Sequence, residues 1–203
     1  MSTVRMGVLF TIGSFCFMLG SFPPYYEHVD VMVTAVTFFI GSIFFTSAAT
    51  LQERSSRVSG VALLSRDPGR LGWCSAVTQW IGTFAFNVST FAAILQGLSA
   101  TQERRLVWSP DAVGSILFLV SSAVGVVAVW IVAATRRDRG MAGLNLLGSI
   151  FFGISAVGAF VLPTTGEILN TRWANLGTFL GGLCFFVASI WLARPERQAT
   201  PAA

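Results

Sequence analysis

The sequence predicts an all-α integral membrane protein with six transmembrane helices, arranged as three consecutive helical hairpins with both termini in the cytoplasm. Its composition is the first reason: 54% of its 203 residues are hydrophobic, only 11% are charged, and the mean hydropathy is +0.71. Because this number of charges is too small to cover a soluble globule of this length, most of the protein surface must face lipid. The other two reasons are six long apolar segments and an uneven distribution of arginine.

Each apolar segment is long enough to cross a bilayer, because about 20 helical residues span a ~30 Å hydrocarbon core. None alternates with a period of two, and lipid leaves the backbone no other partner, so we expect helices. The six predicted helices cover residues 6–22, 31–51, 74–97, 110–134, 141–162 and 174–193. We interpret residues 1–203 as one domain, with hairpin repeats at about 6–51, 74–134 and 141–193, a cytoplasmic linker at 52–73 and a disordered tail at 194–203.

The six segments differ in their flanking and polar residues. The first follows Arg5, lacks an A-x-A-like cleavage site and continues into SFPPYYE, so we predict a retained helix and not a signal peptide. The third carries two amides, the fourth begins near Asp111, which we expect to cap it after a proline, and the fifth carries one amide. Gly177 and Gly181 give the sixth a G-x-x-x-G motif, which is common at helix contacts.

Arginine sets the orientation, because the chain contains no lysine. Ten of the thirteen arginines flank the amino terminus, the segments at 52–73 and 135–140, and the carboxyl terminus. Only Arg104, Arg105 and Arg172 fall in the other loops. The positive-inside rule therefore places both termini in the cytoplasm, with the protein in the cytoplasmic membrane. The net charge of +4 then indicates contact with anionic lipid, and we expect no nucleic-acid partner.

One pattern, G-[STG]-x-x-F, occurs once in every predicted helix. Small residues also recur seven positions before or after it, for example at Ser75, Ser89, Ser121, Ser155 and Ser189. Because residues seven apart lie on nearly one face of a helix, we interpret the pattern as a helix-packing seam of small side chains. An alternative is a pathway or ligand site lined by the hydroxyls. The seam consists of Gly13, Ser14, Gly41, Ser42, Gly82, Thr83, Gly114, Ser115, Gly148, Ser149, Gly181 and Gly182.

The repeated hairpin resembles the YrhK-like family, a bacterial helical hairpin in which a glycine–serine pair followed by an aromatic residue occurs in both helices. FTIGSFCFMLGSF with FFIGSIFFTSA carries the resemblance in the first hairpin, and NLLGSIFFGISAV with NLGTFLGGLCFFVASIWLARPE in the third. The middle hairpin, WIGTFAFNVSTFA with DAVGSILFLVSSA, is a more divergent copy. The resemblance implies a membrane hairpin fold, but no established activity or catalytic residue.

Polar residues within the predicted helices are few. No charged side chain or histidine lies near the middle of a helix, which argues against proton relays and ion-coupled transport. Three amides, Gln79, Asn87 and Asn145, are the candidates for lining a ligand site or pathway. The alternative is that they form structural hydrogen bonds between helices.

The sequence predicts no catalytic residue, no cofactor and no metal ligand. His28 lies between Glu27 and Asp30, which is either a metal-binding patch or, as we prefer, an interfacial loop. Each predicted outer loop has one glutamate, Glu27, Glu103 or Glu167, and these form either a cation-attracting ring or separate solvated acids. The three cysteines, none in an outer loop, are expected to pack as small residues.

Three functions fit these features. The first is a non-enzymatic accessory or scaffold bundle of the cytoplasmic membrane, with lipids, a second copy or another membrane protein as partners. The alternative is an uncoupled channel or carrier for a small neutral or weakly polar solute. A second alternative is a protein that binds a lipid or quinone. A continuous polar pathway between the helices would favour the channel or carrier, and a closed dry seam would favour the scaffold.

The hairpin topology predicts that residues 98–109 and residues 52–72 face opposite sides of the membrane, outer and inner respectively. Single cysteines or reporter fusions placed in the two segments should therefore be labelled from opposite sides. Labelling of both segments from one side would rule out the three-hairpin arrangement.

Overall fold

The computed structural model describes residues 3–57, 67–132 and 134–194, and the described chain is helical apart from its connections. An isolated antiparallel bridge joins Val161 and Ile168. Six long helices account for most of the chain. They are α1 (Thr3–Gly20), α2 (Val31–Ser55), α3 (Pro68–Ile94), α4 (Ser109–Ile131), α5 (Arg136–Gly158) and α6 (Thr171–Ala193).

The six helices form a closed ring. Each packs against its neighbours in the sequence, and α6 packs against α1. A Cβ atom added to Gly7 of α1 would lie 2.5 Å from the backbone nitrogen of Ala193 in α6, so the backbones touch at this closure. The start of α1 and the end of α6 therefore lie at the same end of the ring. We call this end, with the α2–α3 and α4–α5 connections, the termini side, and the opposite end the hairpin side.

Five helical segments are long and apolar enough to cross a membrane: Thr3–Gly20, Val31–Ser55, Ala100–Ile131, Arg136–Gly158 and Thr171–Ala193. The predicted third span, now α3, is not among them. Its 27 residues are long enough, and its sequence includes two strongly polar amides, Gln79 and Asn87. Both amides lie on α3, which packs between α2 and α4 in the ring.

The helix boundaries differ from the prediction where caps and side-chain pairs extend the helices. α2 continues to Ser55, and its last turns hold Glu53, which accepts hydrogen bonds from Arg57 at 2.8 and 3.0 Å. α3 begins earlier, at Pro68, because Asp67 caps its first turn. Both helices therefore extend into the predicted linker at 52–73. Residues 58–66 of that linker, and the predicted tail after Arg194, lie outside the described residues.

The expected cap at Asp111 is wrong. A short helix, Ala100–Glu103, and a π-helical turn, Arg104–Trp108, lead directly into α4, so the backbone is already helical before Asp111. No end is left there for the carboxylate to cap. The connection on the hairpin side of α3 and α4 is thus largely helical.

The core contains a reciprocal contact within every hairpin. The glycine of each repeated motif faces the motif phenylalanine of the partner helix, so that Cβ atoms added to these glycines would lie 2.5–3.3 Å from the rings. Close backbone approach is what small residues permit between helices in lipid, where apolar surface alone provides little association energy. The pairs are Gly13 with Phe45, Gly41 with Phe17, Gly82 with Phe118, Gly114 with Phe86, Gly148 with Phe185, and Gly181 with Phe152.

Replacing Gly181 by alanine should lower the free energy of unfolding by about 1–3 kcal/mol, because the new methyl group overlaps the Phe152 ring. Gly153→Ala is the control, since nothing lies within 4 Å of that position on α5. The control should be neutral or more stable, because alanine favours helix by about 1 kcal/mol over glycine. Denaturant unfolding of both variants in detergent measures the difference. Equal stabilities would show that the glycine is not required for packing.

Candidate functional site

Six phenylalanines, one from each helix, meet inside the ring and form two triangles. Within the first triangle the ring centroids lie 5.9–6.4 Å apart, and within the second they lie 5.7–6.1 Å apart. All six side chains are buried, with Phe118 only 1% exposed. The first triangle consists of Phe17, Phe86 and Phe152, and the second of Phe45, Phe118 and Phe185.

The two triangles lie at different depths because adjacent helices run in opposite directions. In every helix the phenylalanine follows the motif glycine by four residues, which is about 6 Å along the axis. α1, α3 and α5 run toward the hairpin side, and α2, α4 and α6 run back. The first triangle is therefore the hairpin-side layer and the second is the termini-side layer. Within each hairpin the two rings remain in contact, at 5.1–5.6 Å between centroids.

A cavity lies on the termini side of these layers. It has two lobes, of about 170 and 280 Å³, that share Gln52, Gln79, Met141 and Asn145 in their linings. Phe185 of the termini-side layer also lines the smaller lobe. The cavity thus reaches from the layer toward the end of the ring that holds the chain termini.

Carboxamides dominate the polar lining of this termini-side cavity. Gln79 is only 8% exposed, and its amide has no hydrogen-bond partner among the described residues. The structure brings it together with Asn145, as two of the three predicted amides, and with Gln52. Gln52 is not among the predicted site residues because it falls in the predicted linker at 52–73.

A second cavity, of about 260 Å³, lies on the hairpin side. Phe17 of the hairpin-side layer lines it, and all six helices or their connections contribute to its wall. Its polar lining includes hydroxyls and two carboxylates, Glu103 and Asp111. The two cavities therefore lie at opposite ends of the ring, with the phenylalanine layers between them.

The seam hydroxyls do not line either cavity. Ser14, Ser42, Thr83, Ser115 and Ser149 are at most 2% exposed, and three of them bond to a neighbouring hairpin. The cavity hydroxyls lie seven positions away from the motif instead: Ser89 and Ser155 on the hairpin side, and Ser121, Ser122 and Ser189 on the termini side. The bonds between hairpins are Ser42 Oγ to Thr90 Oγ1 at 2.9 Å, Ser115 Oγ to the Phe152 carbonyl at 3.4 Å, and Ser149 Oγ to Ser122 Oγ at 2.8 Å.

Asn87 is separate from the other two amides. Its Nδ2 donates to Thr46 Oγ1 of α2 at 2.9 Å, and its Oδ1 is buried with no partner in the described part of the chain. It lines neither cavity. Asn87 therefore connects α3 to α2, next to a second such bond from Trp80 Nε1 to Thr50 Oγ1 at 2.9 Å.

The three loop glutamates differ in their surroundings. Glu103 lines the hairpin-side cavity, whereas Glu27 and Glu167 are exposed. Asp30 caps α2 by accepting from the Met32 amide, and His28 Nδ1 lies 3.0 Å from the Pro24 carbonyl. Among the described residues, no group of three or more histidine, cysteine or acidic side chains is placed to hold a metal ion.

These features define an all-helical bundle with several membrane-length apolar helices. Residues 3–54, which form the first hairpin, match the family model described as YrhK-like protein. The predicted resemblance is confirmed for this hairpin, which supplies one glycine–phenylalanine pair of contacts and one phenylalanine to each layer. No curated protein and no solved structure matches the chain.

Proposed function

We propose that all six long helices cross the bacterial cytoplasmic membrane as three hairpins, with both termini in the cytoplasm. The arginine distribution supports this orientation, because eight of the eleven arginines among the described residues lie on the termini side. α3 fits the proposal despite its lower hydropathy: Gln79 is buried and Asn87 bonds to α2, so neither amide is exposed to lipid. The termini side is then the cytoplasmic side.

The three hairpins are proposed to be parallel repeats around an axis along the membrane normal. Each hairpin makes the same reciprocal glycine–phenylalanine contact. Each also gives one ring to each layer, which is the arrangement expected of three similar units around an axis. The sequence resemblance of the third hairpin to the first supports the same conclusion.

The function that this geometry favours is passage of a small, uncharged polar solute along the axis. The observation that carries the proposal is the pair of cavities at opposite ends of the ring, each with polar side chains in a mainly apolar lining, separated by the phenylalanine layers. An apolar constriction of this kind keeps a pathway closed by excluding water. The structure then represents the closed state, and opening requires the rings to separate.

The linings suit an uncharged solute. The side chains in the two layers carry no charge, and moving an ion past them would require removing its hydration without replacement. No arginine is among the described residues that line either cavity, while Glu103, Asp111 and Asp138 are. Anions are therefore disfavoured before they reach the layers. The proposed passage of a solute involves no catalysed reaction and no cofactor.

The second candidate is the non-enzymatic scaffold, with lipids, a second copy or another membrane protein as partners. The observation that favours it is the tight packing at the centre, where the seam hydroxyls and the phenylalanine rings are buried. Lipid or quinone binding is the third candidate. A largely apolar cleft of about 370 Å³ between the start of α2 and the end of α3 favours it.

Opening the layers should allow the solute to pass. Phe118 contacts four other rings of the two layers, so Phe118→Ala should raise urea permeability of reconstituted liposomes about tenfold, equivalent to a barrier lower by about 1.4 kcal/mol. Phe91→Ala, at a ring that is 54% exposed, should leave permeability unchanged. Stopped-flow light scattering measures the rates.

This test requires that the Phe118→Ala protein folds. An elution volume and a thermal midpoint in detergent close to those of the wild type would show that it does. Phe118→Leu provides a milder change of the same ring. If the folded variants pass urea no faster than protein-free liposomes, the passage is refuted and the scaffold is favoured.

A further inference from the structure

The termini-side cavity contains a buried polar side chain whose hydrogen bonds are not made by the protein. Gln79 is more than nine-tenths buried, lines both lobes of the cavity, and has no hydrogen-bond partner among the described residues. No Gln79 atom is among the fully buried, unpaired side-chain atoms of the described residues, so the amide is open to the cavity, where water or a ligand can complete its hydrogen bonds. Asn87 on the same helix differs because its amide nitrogen is bonded to Thr46 and its Oδ1, which has no partner among the described residues, lines neither cavity.

Two further carboxamides converge on the same space from other helices. Gln52 of α2 and Asn145 of α5 line both lobes, and neither side-chain amide is hydrogen-bonded within the described structure. The backbone carbonyl of Asn145 is already used, because it accepts from Ser149 Oγ at 2.9 Å. Three helices thus present three free amides, each with both a donor and an acceptor.

We propose that Gln52, Gln79 and Asn145 form a binding site for a small uncharged molecule that carries both hydrogen-bond donors and acceptors, of the carboxamide or urea class. This inference rests on the proposed function and names the solute class that the passage would take. Such a molecule can pair its donors with the amide oxygens and its acceptors with the amide nitrogens. An anion would find no positively charged side chain among the described residues that line the cavity.

The electrostatics of the cavity support an uncharged ligand. Asp138 is the one charged side chain among the described residues that line the lobes. Its Oδ2 already accepts hydrogen bonds from the Thr135 backbone amide and hydroxyl, at 3.0 and 2.7 Å, as the cap of α5. The carboxylate is therefore engaged at the start of α5, about two helical turns from Asn145.

The cavity has room for a small solute together with water. A water molecule occupies about 30 Å³ in the liquid, so lobes of about 170 and 280 Å³ hold several waters or one small solute with waters. Phe185 and Phe10 close the smaller lobe on its apolar side. A bound molecule would thus lie next to the termini-side layer, and it could pass only when the rings separate.

Side-chain amide resonances of the full chain in detergent micelles test the site directly, with acetamide as the probe. We expect the Gln79 resonances to shift saturably with acetamide, and acetate, the charged molecule of the same shape, to leave them in place. The resonances of Asn87, the amide outside the cavity, should not respond. Equal or non-saturating shifts at Gln79 and Asn87 would show a solvent effect only, and would refute the site.

Variants separate binding from folding. Gln79→Met retains the length of the side chain and removes the amide, so it should weaken acetamide binding at least tenfold, read from the Asn145 resonances. Asn87→Leu should leave the affinity unchanged. Backbone spectra that match the wild type establish that both variants fold. Unchanged acetamide affinity in folded Gln79→Met would overturn the assignment.

The binding measurement needs no gradient, so its result is independent of transport. Saturable binding without urea passage in the Phe118 variants would retain this site and refute the proposed function. Urea passage without a response at Gln79 would retain the passage and refute this site.

Discussion

The reciprocal contact between glycine and phenylalanine in each hairpin is the constraint on which the rest of the structure depends. In lipid, apolar surface alone does not drive helices together, so association needs close approach and good packing. A motif glycine provides the space, and the partner's motif phenylalanine fills it. Because the two helices are antiparallel, the two rings of a hairpin belong to different depths along the axis. Three hairpins therefore generate two layers of rings, and the layers close the centre of the ring of helices.

The same repeat explains where polar groups lie. Hydroxyls beside the motif glycines, such as Ser42 and Ser149, are at the level of the tightest packing and bond to neighbouring hairpins. Hydroxyls one heptad away, such as Ser155 and Ser189, lie beyond the rings, where the helices leave room for cavities. Small residues thus allow tight packing at the centre of the ring of helices, and the same residue types line the cavities at its two ends. In our proposal the packing and the passage are consequences of one pattern.

The helical class and the approximate helix positions could be predicted because composition and span length are visible in the sequence. The seven-residue period gave the glycine seam as a hypothesis. It identified the motif phenylalanine but not its role, since no single-chain pattern tells which helix a ring will face. Gln52 was missed because α2 extends beyond its apolar segment, where Glu53 pairs with Arg57. Gln79 and Asn87 look equivalent in the sequence. Only the arrangement of the helices around α3 shows that Asn87 bonds to α2 whereas Gln79 lines a cavity.

The central claim is that the phenylalanine layers divide the axis into two separately accessible cavities. Accessibility of single cysteines along α5 tests it most directly, after Cys16, Cys74 and Cys184 have been replaced. With a membrane-impermeant thiol reagent, a cysteine at Asn145 should react only from the cytoplasmic side and one at Ser155 only from the outside. A cysteine at Ser149, which is fully buried, should react from neither side. Reaction at position 149 as fast as at the other two positions would contradict the account, as would protection of all three.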